Sequence, residues 1–173
     1  MLPETAPGHG AFARRIEIWL PMLVVVLDQV TKAIVRAKLP VYASTTVIPG
    51  FMDFTHVPNS GIAYGFLQTV DFPFKTAILA MVAAAAMISV GIYAASLARH
   101  QFVARIGLSL IIGGAAGNLI DRVVVGSVVD FVDVYWRTWH FWVFNVADSA
   151  ISVGVAVMIL DMLGLGAHVS KTA

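Results

Sequence analysis

Long apolar stretches separated by short polar breaks dominate this chain. Four of them, roughly Ile16–Val35, Phe72–Leu97, Phe102–Val125 and Asn145–Leu165, reach the length of about 20 helical residues that a hydrocarbon core requires. An even number of crossings puts both termini on one side. Residues 1–13 are polar and are expected to form a disordered tail, which leaves 14–168 as one membrane domain. Arg14 and Arg15 ahead of Ile16–Leu27 resemble the start of a signal peptide. The run then meets Asp28 and Lys32 with no small-x-small cleavage site, so it reads as a retained first span.

Between the first two spans the pattern changes. Over residues 39–67, short β-branched and aromatic runs (Thr45-Thr46-Val47-Ile48 and Phe51 to Val57) flank Pro49-Gly50 and predict small antiparallel strands. Residues 126–144 mix Asp130, Asp133 and Arg137 with Phe131, Tyr135, Trp136, Trp139, Phe141, Trp142 and Phe144. They predict an interfacial helix or loop carrying an aromatic belt. The fold class that follows is an all-α polytopic membrane protein with four transmembrane helices, a small antiparallel β segment and one interfacial segment.

Composition agrees. Hydrophobic residues make up 59% and charged residues 12%, and mean hydropathy is +0.85. A soluble domain carries about 25% charged residues. A net charge of +1 gives no electrostatic reason for a nucleic-acid partner. With no cysteine, disulfides, thiolate nucleophiles and cysteine metal sites are excluded. The five histidines are scattered without H-E-x-x-H spacing, and no G-x-S-x-G elbow occurs. Counting Lys and Arg on the two sides does not decide the orientation. Setting aside Lys32 and Arg122 as site residues tilts it toward cytosolic termini.

Ionisable groups at membrane depth are functional candidates by default. Asp28 lies thirteen residues beyond Arg15, a rise of about 20 Å. Asn118 lies at a similar rise from Arg105, and Asn145 and Asp148 open the fourth span on the same side. One layer near one membrane face thus gathers Asp28, Lys32, Asn118, Asp121, Arg122, Asp130, Asn145 and Asp148. Structural explanations compete at each position. Asp28 and Lys32, at i and i+4, suit an intrahelical ion pair. Asn145 or Asp148 suits a helix cap. Asp121-Arg122 suits the solvated end of a span, and Asp133 and Arg137 suit a wet interfacial face. Pro58-Asn59-Ser60-Gly61 suits a turn, or a strip that lays backbone groups and Asn59 along an extended peptide. Gly113-Gly114-Ala115-Ala116-Gly117 predicts close helix packing. Asp130, inside Val128-Val129-Asp130-Phe131-Val132, is the least expected as a surface acid. If Asp130 and Asp148 face each other, desolvation and like charge leave one proton on the pair near neutral pH. One carboxylate then takes a proton from water while the other protonates a substrate carbonyl.

Five blocks carry a resemblance: Asp28-Gln29-Val30-Thr31-Lys32, Asn59-Ser60-Gly61-Ile62-Ala63-Tyr64, Gly117-Asn118-Leu119-Ile120-Asp121-Arg122, Val128-Val129-Asp130-Phe131 and Phe144-Asn145-Val146-Ala147-Asp148-Ser149. In order and spacing the chain resembles the bacterial lipoprotein signal peptidases (signal peptidase II). Tyr64 stands where Phe or Trp is expected. The resemblance implies a monomeric aspartic peptidase of the inner membrane, with cytosolic termini and its site toward the periplasm. The β segment would be a cradle over the substrate, with residues 126–144 as a gate. Substrates would be prolipoproteins carrying diacylglyceryl on the cysteine after the cut, met among membrane lipids. By motif, Asp130 and Asp148 would be catalytic, and Asp28, Lys32, Asn59, Gly61, Asn118, Arg122 and Asn145 would bind substrate or support the pair. No metal or organic cofactor is implied. The rival classes are a proton- or solute-coupled transporter using its acids as a relay, which would show repeats, or Gly/Pro-interrupted halves with charges at mid-membrane, and a structural membrane subunit.

Overall fold

The computed structural model describes residues 8–61, 67, 70, 72–98 and 101–164. Among them the elements run α1 (Gly8–Lys38), β1 (Ser44–Ile48), β2 (Met52–Asn59), α2 (Lys75–Ser96), α3 (Phe102–Val124), β3 (Val128–Trp136), β4 (Trp139–His140) and α4 (Val146–Met162). Among the described residues, three helical stretches are long and apolar enough to cross a membrane: Ile16–Lys38, Lys75–Ser96 and Phe102–Val124. The described part of α4 is equally apolar in character but has 17 residues, short of the expected 145–165. Residues 165–173 lie outside the described residues.

Two expectations need correction. The tail predicted over 1–13 gives way to helix from Gly8; Ala11, Ala13, Arg14 and Arg15 are good helix formers and let the span propagate backward. Residues 1–7 lie outside the described residues. The segment 126–144, expected as an interfacial helix or loop, is mostly strand. β3 and β4 complete a four-stranded antiparallel sheet of order β1-β2-β3-β4. The expected β1–β2 hairpin is present, with Gly50 at φ 77° in its Pro-Gly turn.

Over Val128–Phe131, side chains of β3 alternate between two faces. Val129 and Phe131 pack with Val35 in a buried cluster against Leu39, Val132 and Val146, while Val128 and Asp130 point into a cavity. The pairings Asn59↔Val128 and Val57↔Asp130 place Asn59 and Asp130 diagonally on one face. Phe144 is tied to β3 by Phe131 N (3.0 Å) and Val132 N (2.8 Å), both donating to its carbonyl. The start of α4 is thereby docked on the strand that carries Asp130.

α3 is the central helix and packs on α1, α2 and α4. Its glycines allow this. A Cβ at Gly107 would lie 2.9 Å from the Gly154 carbonyl oxygen, and one at Gly113 would lie 2.9 Å from the Pro21 Cα. At Gly114 it would collide with the Ala147 carbonyl oxygen, and at Gly117 with the Asp28 carboxylate. The close packing expected of the glycine run is therefore present, against two different helices. α2 is looser, and Met81, Val82, Ile88 and Ile92 on it are exposed, as lipid-facing residues are. Gly114→Ala should push α4 off α3 and cost about 1–3 kcal/mol. Gly91→Ala on α2, whose Cβ would meet nothing within 4 Å, should be neutral or stabilising by up to about 1 kcal/mol. Unfolding of both variants in detergent checks the contrast.

Candidate active site

The first turn of α4 is built by its own sequence. Asn145 is the N-cap: its Oδ1 accepts from Asp148 N at 2.9 Å, and Asp148 Oδ2 accepts from Asn145 N at 3.2 Å. This reciprocal box satisfies two helix-end N–H groups and fixes the Asp148 rotamer. The capping role expected for Asn145 and Asp148 is real, yet it does not exhaust either side chain. Asp148 Oδ1 also accepts from Asn118 Nδ2 at 2.8 Å, and Asn145 Nδ2 donates to Asp130 Oδ1 at 2.7 Å.

Asp130 thus has two amide donors, Asn145 on one oxygen and Asn59 Nδ2 at 2.9 Å on the other. The two acids are linked through a bridge of amides, because Asn145 Nδ2 also donates to Asn118 Oδ1 at 3.2 Å. Both acids line one cavity of about 560 Å³. Its polar end holds Asn59, Asn118, Arg122, Asp130 and Asp148. Ala83, Ala86, Ala115 and Ile151 supply apolar walls, and Phe141, Trp142 and Phe144 also line it. Burial pushes the Asp130 carboxyl up to about 7, and the Asp148 carboxylate beside it pushes in the same direction; the Asn59 and Asn145 donors and the Lys32 charge resist. A carboxyl with that value exchanges its proton readily near neutral pH.

Behind the acids sits a charged layer. Lys32 Nζ meets Asp28 Oδ2 at 2.8 Å, Asp121 Oδ2 at 3.0 Å and Asn118 Oδ1 at 2.9 Å. These three acceptors match the three donors of an ammonium. Asp28, Lys32 and Asp121 are fully buried, so the Asp28–Lys32 pair is part of an inter-helical network rather than a surface ion pair. The solvated helix end expected for Asp121 is excluded by its burial. Arg122 donates to the Gly61 carbonyl at 2.9 Å and to the Asn118 carbonyl at 3.2 Å, and Gly61 N donates to Asn59 Oδ1 at 2.8 Å. Arg122 therefore holds the turn that presents Asn59, and these two bonds go to carbonyls rather than to an acid. Residues 62–66, including Tyr64, lie outside the described residues.

All nine residues singled out from sequence as site residues fall in this one region: Asn59, Gly61, Asn118, Arg122 and Asn145 form a hydrogen-bond network around Asp130 and Asp148, and Asp28 and Lys32 stand behind it. Sequence reasoning placed Asp121 in the same layer without giving it a role, and missed Gln29 and Arg36. Gln29 Nε2 donates to Asp28 Oδ2 at 3.2 Å and to Gly117 O at 3.1 Å, and Arg36 pairs with Asp121 at 3.4 Å. Charge balance was the available signal: Lys32 and Arg36, one turn apart, call for two acids. Phe141 and Trp142 line the cavity in addition to joining the expected aromatic belt. Asp133 is only partly exposed and pairs with His140 at 3.0 Å, while Arg137 is exposed in the β3–β4 turn at φ 57°.

Apolar helices enclosing a polar pocket with paired acids define a membrane enzyme. Two solved structures, each described as a bacterial membrane enzyme, match with TM-scores of 0.77 and 0.76 at 33% and 31% identity. The matches cover 86% and 85% of this chain, and 87% and 92% of theirs. A family model described as Signal peptidase (SPase) II matches residues 20–164. Curated relatives named lipoprotein signal peptidase agree. The one from Geobacter metallireducens is 47% identical over 140 residues, 80% of this chain and 84% of that protein. The one from Pseudomonas putida is 38% identical over 157 residues, 90% of this chain and 91% of that protein. The chain belongs to the signal peptidase II family, a family of proteases.

Asn59 favours the ionised form of Asp130 by donating to it. Asn59→Ala should therefore raise the Asp130 value further and move the alkaline limb of the pH–activity profile, where Asp130 loses its proton, upward by about half a pH unit or more. A profile that stays in place contradicts this role.

Proposed function

We propose that this chain is an aspartic endopeptidase that removes signal peptides from diacylglyceryl-modified prolipoproteins. The cut falls before the lipidated cysteine, by attack of a carboxylate-activated water. The observation that carries the reading is the placement of Asp130 and Asp148 on one cavity, joined by the Asn118–Asn145 bridge. Asp148 takes a proton from the water as it attacks the scissile carbonyl. Asp130, holding its proton near neutral pH, hydrogen-bonds the carbonyl oxygen and stabilises the tetrahedral intermediate. The proton then passes to the leaving nitrogen, the C–N bond breaks, and two products leave. Asn59 and Asn145 hold Asp130 in position, Asn118 holds Asp148, and Arg122 with Gly61 borders the path of an extended peptide.

In this reading α4 is the fourth span, the termini are cytosolic, and the sheet lies at the periplasmic face of the inner membrane as a cradle. The ionisable layer lies toward one end of the spans, unlike the mid-membrane charges of a transporter. The enzyme acts as a monomer, because one chain carries both acids. Lipid on the substrate contributes about 0.8 kcal/mol per buried CH₂. Lateral diffusion then delivers the substrate to a cavity with apolar walls.

Asp130→Asn and Asp148→Asn are each expected to abolish cleavage of a diacylglyceryl-modified precursor while the protein still inserts and folds. Near-normal turnover by either variant contradicts the assignment. An unmodified precursor should be cleaved poorly beside the lipidated one, and equal rates on the two would remove lipid from the recognition.

A further inference from the structure

Two peptide N–H groups are held by buried carboxylates in matching positions. Asp28 Oδ1 accepts from Ala147 N at 3.0 Å, and Asp121 Oδ2 accepts from Val129 N at 3.2 Å. Ala147 immediately precedes Asp148, and Val129 immediately precedes Asp130. The two carboxylates come from different helices, α1 and α3, and one ammonium, Lys32, joins them at 2.8 and 3.0 Å. Its third donor goes to Asn118, the amide that bonds Asp148 directly. Gln29 Nε2 spans the same two carboxylates, at 3.2 Å to Asp28 and 3.3 Å to Asp121. None of Asp28, Lys32 and Asp121 lines the cavity.

We propose that Asp28, Lys32 and Asp121 form one clamp that sets the relative position of the two catalytic acids by gripping the backbone just before each of them. The proposal rests on the acid-pair reading above and adds to it a positioning role for Asp121 and a common centre at Lys32. The geometry explains three choices in the sequence. A carboxylate that accepts from the N–H of the residue before an acid restrains the backbone leading into that acid, without occupying the space where substrate and water must sit. A single ammonium between the two carboxylates ties a strand, β3, to a helix start, α4, although the two come from different kinds of backbone. Gly117 is needed because a Cβ there would strike the Asp28 carboxylate. The clamp also places one positive charge behind both acids, where it opposes their protonation.

The test uses the full chain in detergent or bilayer with a lipidated precursor, and reads kcat and KM separately. Asp121→Asn keeps an oxygen for Val129 N–H and leaves the Lys32–Asp28 pair balanced. It is expected to lower kcat by about 10- to 100-fold with KM within about twofold, as a displaced reacting group does. The paired change Lys32→Met with Asp121→Asn removes one charge of each sign and takes the cation from behind the acids. Its acid limb should move to higher pH by about half a pH unit or more, a change that a purely structural role would not produce. Wild-type kcat in Asp121→Asn, or an unshifted pH profile in the paired variant, overturns the proposal. So does loss of the folded state in both, which would assign the network to stability alone. Asp130→Asn and Asp148→Asn in the same assay separate the two claims: activity in these defeats the acid-pair reading, whereas their inactivity beside wild-type behaviour of the clamp variants defeats the clamp alone.

Discussion

A buried ammonium governs this structure. Lys32 has no solvent exposure, and an isolated charge in that environment costs many kcal/mol. It is tolerable only where acceptors surround it, and they come from its own helix (Asp28) and from α3 (Asp121 and Asn118). α1 and α3 must therefore meet at this depth, and the chain has glycine at the positions where they would collide. Removing one partner of such a buried group typically costs about 3–5 kcal/mol, because the other charge is stranded. The network behaves as a unit for that reason: each member is needed to make the others tolerable in a low-dielectric interior.

From this layer the influence runs toward the cavity through amides. Asn118 accepts from Lys32 and donates to Asp148, and Asn145 caps α4 while donating to Asp130. An amide can do this because it carries an acceptor and a donor pair on one rigid plane. The acids are thus held by donors that favour their charged forms, against burial that favours their neutral ones. The balance leaves Asp130 at about 7, where a proton can be both held and passed on. Secondary structure serves the same end. A strand puts Asp130 on the cavity face beside Val128, and a helix cap gives Asp148 a fixed rotamer.

Three of the four expected spans were legible because length and apolar character both point to them, and the Pro49-Gly50 hairpin because turn chemistry is local. β3 was not. Apolar residues lie on both of its faces, since Val129 and Phe131 enter the core while Val128 lines the cavity, so no regular polar alternation marks the strand. The tryptophans around it point toward a membrane interface instead. At the site, Asp130 stood out because an acid amid valines has no structural excuse. Asp121 did not, because an Asp-Arg pair ends many helices in water. Only the three-dimensional path of Val129 N–H and Lys32 distinguishes the two cases. The signal in one-dimensional form was the count of charges in the layer, and it needed the pairing of α1 with α3 to be interpreted.

The central claim is that Asp130 and Asp148 together retain one proton near neutral pH. Infrared difference spectroscopy of the folded protein across a pH titration observes the protonated carboxyl stretch directly. The account predicts such a band that titrates near 7 and disappears in Asp130→Asn. Absence of that band, or its persistence unchanged in Asp130→Asn, would contradict it.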